Sequence, residues 1–165
     1  MTRAERIGWD WLIIVGCIAF AATSFLVDPL AAFGVPMRMD SDSAIVRAVS
    51  GWATQNDPLW LENPPMLRVQ TAISVFIYGP FYLLLLTALL LRRHGFLRVP
   101  ALVFAGALAS NVIIYTVAAF VGYHVQSPFI YVVVNLPYLL FAIGLIWRFA
   151  PAPPVARDCP PAVRE

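Results

Sequence analysis

Long apolar segments alternate with short polar connections along almost the whole chain. The apolar segments lie at about residues 9–31, 71–91, 99–121 and 128–149. A helix needs about 20 consecutive apolar residues to cross the hydrocarbon core of a bilayer, so each segment predicts one transmembrane helix. The pattern therefore predicts an all-α integral membrane protein that is built as a four-helix bundle.

The connection between the first two predicted helices, residues 32–65, is the only long one. Apolar residues at intervals of three and four over residues 44–52 predict a short amphipathic helix along the end of the bundle. Asp40 or Ser41 is its expected N-cap. The next segment, residues 56–65, is rich in proline and predicts an irregular loop over the mouth of the bundle.

Composition agrees with a membrane protein and leaves room for a single domain. The residues are 61% hydrophobic and 12% charged, and a soluble domain carries about twice that charge. We expect one transmembrane domain over residues 1–149 and a disordered Pro/Ala-rich tail over residues 150–165. The sequence has no basic stripe of the kind that binds nucleic acid, so we expect no nucleic-acid partner.

The placement of arginine predicts the orientation in the membrane. All eleven basic residues are arginine. Three of them, Arg38, Arg47 and Arg68, lie in or beside the connection after the first helix. The other eight lie on the side of the termini: Arg3, Arg6, Arg92, Arg93, Arg98, Arg148, Arg157 and Arg164. Lys and Arg accumulate on the cytoplasmic side, so both termini are predicted to be cytoplasmic and the long loop non-cytoplasmic.

Polar side chains within or beside the spans are the candidates for function, because polar groups are costly in hydrocarbon. The candidate ligand-binding residues, with one nearby tryptophan, are Asp28, Asp57, Trp60, Ser74, Asn111, Tyr115, Asn135 and Tyr138. Two carboxyl groups, Asp28 and Asp57, are expected near the same mouth. If they face each other in a dry pocket, they can receive a cation, donate a hydrogen bond or transfer a proton.

Several candidates also have a purely structural interpretation. Asp28 can mark the outer membrane interface at the end of the first helix. Asn111 and Asn135 can hold helices together by hydrogen bonds. Asp57 precedes a proline and can form an ordinary Asx turn.

The sequence contains no recognisable motif for a metal or a cofactor. The two histidines, His94 and His124, fall in connections on opposite sides of the predicted membrane, and no cysteine lies at metal-ligand spacing. Glycine-rich phosphate loops and the serine and zinc motifs of hydrolases are also absent from the sequence. We therefore expect neither a metal site nor a cofactor.

Short motifs occur in a fixed order along the four predicted helices. They are Asp10-Trp11-Leu12, Asp28, Asp57-Pro58-Leu59 followed by Pro64-Pro65, Gly79-Pro80-Phe81-Tyr82, Arg98-Val99-Pro100-Ala101 and Pro137-Tyr138-Leu139-Leu140. As an ordered set over about residues 9–149, they resemble the EXPERA family, which includes the emopamil-binding protein and the sigma-2 receptor. The similarity is closest to the sigma-2-receptor branch.

The resemblance implies a four-helix fold with a cavity that is reached from within the bilayer and holds sterols or amphiphilic amines. It also implies that Asp28 and Asp57 lie in this cavity and that Asn111 and Asn135 line it. One departure concerns catalysis. The family has a glutamate in the second helix where this chain has Ser74, and the family's isomerase has an acid in the third helix where this chain has only Asn111.

These observations leave three functions open. The leading expectation is a binding protein rather than an enzyme, and its ligand is a sterol-like, isoprenoid or amphiphilic-amine molecule. The first alternative is an isomerase that shifts a double bond of a sterol or terpenoid through a carbocation. Asp28 and Asp57 would then transfer protons, and Trp60, Tyr115 and Tyr138 would stabilise the cation.

The second alternative is a membrane scaffold subunit, in which the polar residues only hold helices together. Membrane lipid is a further expected partner. A homodimer through the small residues of the third helix, Gly106, Ala107, Ala109 and Ser110, stays open as well. The arginine-, alanine- and proline-rich composition favours a bacterial inner membrane, whereas the resemblance favours the endoplasmic reticulum of a eukaryote.

Overall fold

The computed structural model describes residues 3–92, 95–123, 125 and 127–150, with side chains described from residue 8 onward. The helices are α1 Arg3–Leu26, α2 Asp28–Ala32, α3 Ala44–Asn56, α4 Pro58–Glu62, α5 Pro65–Ile73, α6 Gly79–Leu90, α7 Arg98–Gly122 and α8 Pro128–Phe149. A π-helical segment, Ser74–Tyr78, joins α5 to α6, and a 3₁₀ turn, Gly95–Leu97, precedes α7. Every regular element in this part of the chain is a helix, so the predicted all-α class is confirmed.

Several sequence predictions concern residues outside the described part. They include the disordered tail from residue 151 onward and the two histidines, His94 and His124. The arginines whose side chains also lie outside it are Arg3, Arg6, Arg93, Arg157 and Arg164.

Within the described residues, four helical segments are long and apolar enough to cross a membrane. They are Gly8–Ala32, Pro65–Leu90, Gly95–Gly122 and Pro128–Phe149. Their outer faces expose large apolar side chains, for example Val103, Ile113 and Leu140. An apolar outer surface of this extent is typical of a protein surrounded by lipid. Length and composition thus agree with the predicted four-span membrane protein.

Two spans differ in detail from the prediction because proline begins helices in this chain. The first span is divided at Val27, and α2 then starts with Asp28 and Pro29 in its first turn. The second span starts at Pro65 rather than at about residue 71. Proline fits the first turn of a helix, where its missing N–H needs no partner. Polar residues in α5 interrupt the apolar pattern, so the pattern did not reveal that the second span begins at Pro65.

The described spans are arranged as two pairs. The chain α1–α2 packs along α5–α6, and α7 packs along α8. The two pairs are joined where α1 contacts α8. Rings from both pairs also meet around Tyr82, whose centroid lies 5.7 Å from that of Phe20, 5.2 Å from that of Phe104 and 5.8 Å from that of Phe141. This aromatic cluster fills the half of the bundle nearer the termini.

An ion pair and a tryptophan stack close the end of the bundle that carries the termini. Arg148 of α8 donates from Nε to Oδ1 of Asp10 in α1 at 2.6 Å. The rings of Trp9 and Trp147 stack beside this pair with centroids 6.2 Å apart. Nε of Arg98 donates to the carbonyl oxygen of Phe149 at 3.1 Å, which connects the start of α7 to the end of α8. Three spans are therefore linked at this end.

The opposite end is covered by α3 and α4, and here two predictions were wrong. The N-cap of α3 is Ser43, whose hydroxyl oxygen accepts from Val46 N–H at 3.4 Å, and neither Asp40 nor Ser41 holds that position. The segment predicted as an irregular loop contains the helix α4. Pro58 begins α4, and Asn63 ends it in the left-handed conformation with φ 43°. Its prolines again begin helices and do not exclude them.

Candidate functional site

A cavity of about 400 Å³ lies between the two pairs of spans. Residues of all four spans line it, and side chains of α3 and α4, including Trp52 and Trp60, cover it. Its volume is within the range of small-molecule binding sites, about 300–1,000 Å³. Most of the lining surface is apolar or aromatic, with a few polar groups among it. This combination is typical of a site for an amphiphilic small molecule.

The cavity brings together most of the residues that the sequence singled out. The predicted residues that line it are Asp28, Trp60, Ser74, Asn111, Tyr115, Asn135 and Tyr138. They come from every span and from α4, so they are distant in the sequence and close only in the fold. Asp57 is the remaining predicted residue. It is fully buried and does not line the cavity.

Asp28 and Ser74 form the polar part of one wall. Asp28 is the first residue of α2, directly after the break in the first span. The hydroxyl of Ser74 lies within hydrogen-bonding reach of the Asp28 carboxyl and is 2.9 Å from the hydroxyl of Ser24. Ser74 also begins the π-helical segment. Such segments are rare and frequently occur at functional sites. Among the described residues that line the cavity, Asp28 has the only carboxyl group, and no lining residue is basic.

The two asparagines lie in the α7–α8 wall. The side-chain amide of Asn135 donates to the carbonyl oxygen of Tyr131 in its own helix at 2.9 Å, which leaves its oxygen available. The side chain of Asn111 makes no hydrogen bond to any residue that the structure describes, although it lies within the α7 span. In this part of the chain neither amide bonds another helix, so the helix-joining interpretation has no contact to support it. An unpaired amide in a dry site is costly and favours a polar group of a bound molecule beside it.

Tyr138 lies where the two pairs of spans meet. Its hydroxyl is 3.2 Å from that of Thr23 in α1, and its ring stacks on Phe20 with centroids 4.2 Å apart. Both Thr23 and Tyr138 line the cavity. The contact between α1 and α8 thus holds one corner of the site in place.

Asp57 lies behind the cavity wall, at the junction of α3 and α4. Its Oδ1 accepts from Leu59 N–H at 3.2 Å, and its Oδ2 accepts from the Tyr115 hydroxyl. The Tyr115 oxygen in turn accepts from Nε1–H of Trp60 at 3.0 Å. Burial raises the pKa of the Asp57 carboxyl to about 6, and the hydrogen bonds from Tyr115 and Leu59 oppose that rise.

This arrangement corrects the expectation for the two aspartates. Asp28 borders the cavity, whereas Asp57 does not and is hydrogen-bonded to Tyr115, which does. The two carboxyl groups therefore do not face each other across a pocket. Asp57 also begins α4 as an N-cap, so the Asx-turn interpretation described its local role correctly.

The sequence contained a signal that residue-by-residue reasoning missed. Gln70, Ser74, Tyr78 and Tyr82 recur at intervals of four, and all four line the cavity. Residues four apart lie on one face of a helix, so the spacing marks a polar stripe along the second span. The side-chain oxygen Oε1 of Gln70 is buried and has no hydrogen-bond partner within the described part of the chain. Only Ser74 of this stripe was among the predicted site residues.

Similarity to known proteins does not identify a function for this site. No protein family, curated protein or solved structure matches the sequence. Within the described residues, no group of three or more His, Cys, Asp or Glu side chains is placed to hold a metal ion.

Proposed function

We propose that this chain is a multi-pass membrane protein that binds a sterol-like, isoprenoid or amphiphilic-amine ligand in the cavity between its helices. The observation that carries the proposal is the cavity itself. It is a mostly apolar space of about 400 Å³ among four apolar spans, and it has a small set of polar groups in its walls. A ligand that is largely hydrocarbon with one or two polar groups matches such a lining.

The charge of the lining supports a neutral or cationic ligand over an anionic one. Asp28 contributes a carboxyl group, and no basic side chain of the described lining is available to pair with an acid. In a site of low dielectric an ammonium group beside Asp28 gains more than it would in water. A hydroxyl group can instead pair with Asp28, or with the free amide of Asn111.

The resemblance to the EXPERA family and the orientation belong to this proposal. The ordered motifs and the loss of the family's helix-embedded acid at Ser74 together favour a binder over an enzyme. Cytoplasmic termini, with α3 and α4 on the non-cytoplasmic side, follow from the distribution of arginine. We favour a bacterial inner membrane as the location, because the chain has eleven arginines and no lysine.

Equilibrium binding of two probes to the full chain in lipid nanodiscs tests the proposal. The probes are dehydroergosterol, a fluorescent neutral sterol, and a dodecyl tertiary amine. We expect both to bind the wild type and the Asp28→Asn variant to bind the amine about tenfold more weakly, because one charge-assisted hydrogen bond is lost. Asp42→Asn is the matched control, since Asp42 is exposed and lies outside the cavity lining.

Native mass spectrometry of protein purified in mild detergent complements this test by identifying any ligand that is retained. A sterol- or isoprenoid-mass adduct that is lost on Asp28→Asn supports the proposal. If neither probe binds the wild type and only bulk phospholipid is retained, the binding function is wrong and the scaffold interpretation takes its place. In that case a partner subunit, or a second copy of this chain, should be recovered in the same detergent.

A double-bond isomerase is the second candidate. One observation favours it: the rings of Trp60, Tyr115 and Tyr138 line the same cavity as the Asp28 carboxyl. Aromatic faces can stabilise a carbocation and a carboxyl group can transfer a proton. Isomerisation needs a second group that transfers a proton, however, and Asp57 has no direct access to the cavity. Turnover of a bound sterol that disappears on Asp28→Asn would support the enzyme, whereas binding without turnover would exclude it.

A further inference from the structure

The buried carboxyl group of Asp57 caps α4 but does not border the cavity, so the proposed function gives it no role. It lies between two elements that are far apart in the sequence, α4 and α7. Its side chain is fully buried, and its two oxygens have different partners. Burying a carboxyl group is costly unless hydrogen bonds satisfy both of its oxygens. The capping of a short helix uses only one of them, so the second bond needs another explanation.

The hydrogen bonds around Asp57 form a chain that ends in the cavity wall. Oδ1 holds the start of α4 through Leu59 N–H, and Oδ2 holds Tyr115 of α7 through its hydroxyl. Because that hydroxyl donates to Asp57, its oxygen is free to accept from Nε1–H of Trp60. Trp60 belongs to α4, so both ends of the chain return to the same helix.

Packing behind Tyr115 restricts its ring further. The Tyr131 ring stacks on it with centroids 5.8 Å apart, and Tyr131 is itself fully buried beside the edge of Phe120. The ring is held by this stack and the hydroxyl by Asp57. The orientation of Trp60 then follows from the bond that it makes to the same hydroxyl.

We infer that Asp57 is a positioning residue that orients the rings of Tyr115 and Trp60 and so sets the shape of the aromatic wall of the cavity. The consequence for ligand affinity rests on the proposed function, but the positioning of the two rings does not. Asp57 acts on a ligand only through these rings, whereas Asp28 borders the space that a ligand would occupy.

The chemistry of the carboxylate explains why an amide should not replace it. Both carboxylate oxygens accept, which matches two donors, Leu59 N–H and the Tyr115 hydroxyl. An asparagine at this position offers one acceptor and one NH₂ donor, so one of the two bonds is lost or must reverse. If the Tyr115 oxygen accepts from that amide, its hydroxyl no longer donates to residue 57 and must turn to another acceptor. Asp57→Asn is therefore a nearly isosteric change that disturbs Trp60.

The first test uses protein without ligand and observes Trp60 directly. In a background where Trp9, Trp11, Trp52 and Trp147 are replaced by Phe, the fluorescence of Trp60 is recorded with and without acrylamide. We expect Asp57→Asn and Tyr115→Phe each to shift the emission and to increase quenching, and the double variant to match the larger single effect. Ser43→Ala removes the N-cap of the neighbouring helix α3 and serves as the control, with no shift expected.

Hydrogen exchange of the chain with all its tryptophans gives a second readout if the single-tryptophan background does not fold. We expect the backbone amides of residues 57–62 to exchange faster in Asp57→Asn and in Tyr115→Phe than in the wild type. The double variant should exchange no faster than the faster of the two single variants. Tyr115→Phe is the decisive variant, because it keeps the ring and the Leu59 bond and removes the hydroxyl that joins Asp57 to Trp60. If Tyr115→Phe leaves both the Trp60 signal and this exchange unchanged, the positioning role is overturned.

Dehydroergosterol binding then connects the wall to the ligand. We expect Asp57→Asn and Tyr115→Phe each to weaken binding by about three- to tenfold, and the double variant by no more than the larger single effect, because groups in one network do not act additively. Effects that multiply in the double variant would show that the residues act independently and would overturn the inference. Failure of the wild type to bind any probe contradicts the proposed function alone, since the Trp60 and exchange measurements need no ligand.

Discussion

Where the first span begins and the last span ends, a carboxyl group and a guanidinium form an ion pair, whereas towards the opposite end of the bundle a carboxyl group borders open space. Nε of Arg148 lies 2.6 Å from Oδ1 of Asp10, and the rings of Trp9 and Trp147 stack beside this ion pair. The Asp28 carboxyl has the Ser74 hydroxyl within hydrogen-bonding reach, and it borders a cavity of about 400 Å³. Both regions are built on the same spans, but at the cavity the backbone is irregular as well: the first span is divided at Val27, and Ser74 begins a π-helical segment.

This difference separates residues that hold the fold from residues that are available to a ligand. A buried ion pair links helices, and removing one partner leaves the other in a medium of low dielectric. A polar group beside a cavity that has no partner in another helix represents a cost that a bound molecule can offset. We therefore expect substitutions in the two regions to affect different quantities, stability at one end and binding at the other.

The largest expected effect comes from filling the cavity. Asn111→Phe replaces an amide without a described partner by a ring that occupies the ligand space, and we expect dehydroergosterol binding to weaken by roughly a hundredfold. Stability should be kept, because an unpaired amide is removed from the span. Ser110→Phe places the same ring on the exposed side of α7 and should leave binding unchanged. Equal binding by Asn111→Phe and wild type in a nanodisc titration would place the ligand elsewhere.

The next effect contrasts the two aspartates by stability. Asp10→Ala should lower the free energy of unfolding by about 2 kcal/mol, since it breaks a partly buried ion pair. Asp28→Ala should change it by less than about 0.5 kcal/mol, because no ion pair is lost. Denaturant or thermal unfolding of both variants in the same detergent measures the contrast. A larger loss in Asp28→Ala than in Asp10→Ala would reverse our assignment of roles.

The smallest effect is a pH dependence that comes from Asp57. Its pKa is raised by burial from 3.8 to about 6, so between these values the folded protein holds a proton that the unfolded chain has released. Stability from this group is therefore greatest at low pH and is lost as pH rises through 6. When the pH is lowered from 7.5 to 5, the free energy of unfolding of the wild type should rise by about 1 kcal/mol more than that of Asp57→Asn. A difference of zero or of opposite sign between the two proteins would show that Asp57 is ionised at both pH values.

Much of the fold could be predicted from the sequence, for a physical reason. Hydrocarbon requires long runs of apolar side chains and helical backbone, so each span is visible as a local property of composition. The same requirement makes polar residues conspicuous within a span, which is why Asn111, Asn135 and Tyr138 could be selected in advance. Helix boundaries were less visible, because proline both ends and begins helices. Pro58 and Pro65 were therefore misread.

The order of residues was enough to predict a helical chain that is apolar enough to span a membrane four times and has a few polar groups in its spans. Which of those groups share a space depends on how the helices pack. Asp57 and Tyr115 are 58 residues apart, and their bond depends on the rotation of α7 and the course of α4. No local pattern distinguishes a carboxyl group that borders a cavity, as Asp28 does, from one that lies behind a tyrosine. That distinction arises from contacts between helices, because rotating a helix changes which side chains share a space and leaves its hydropathy unchanged.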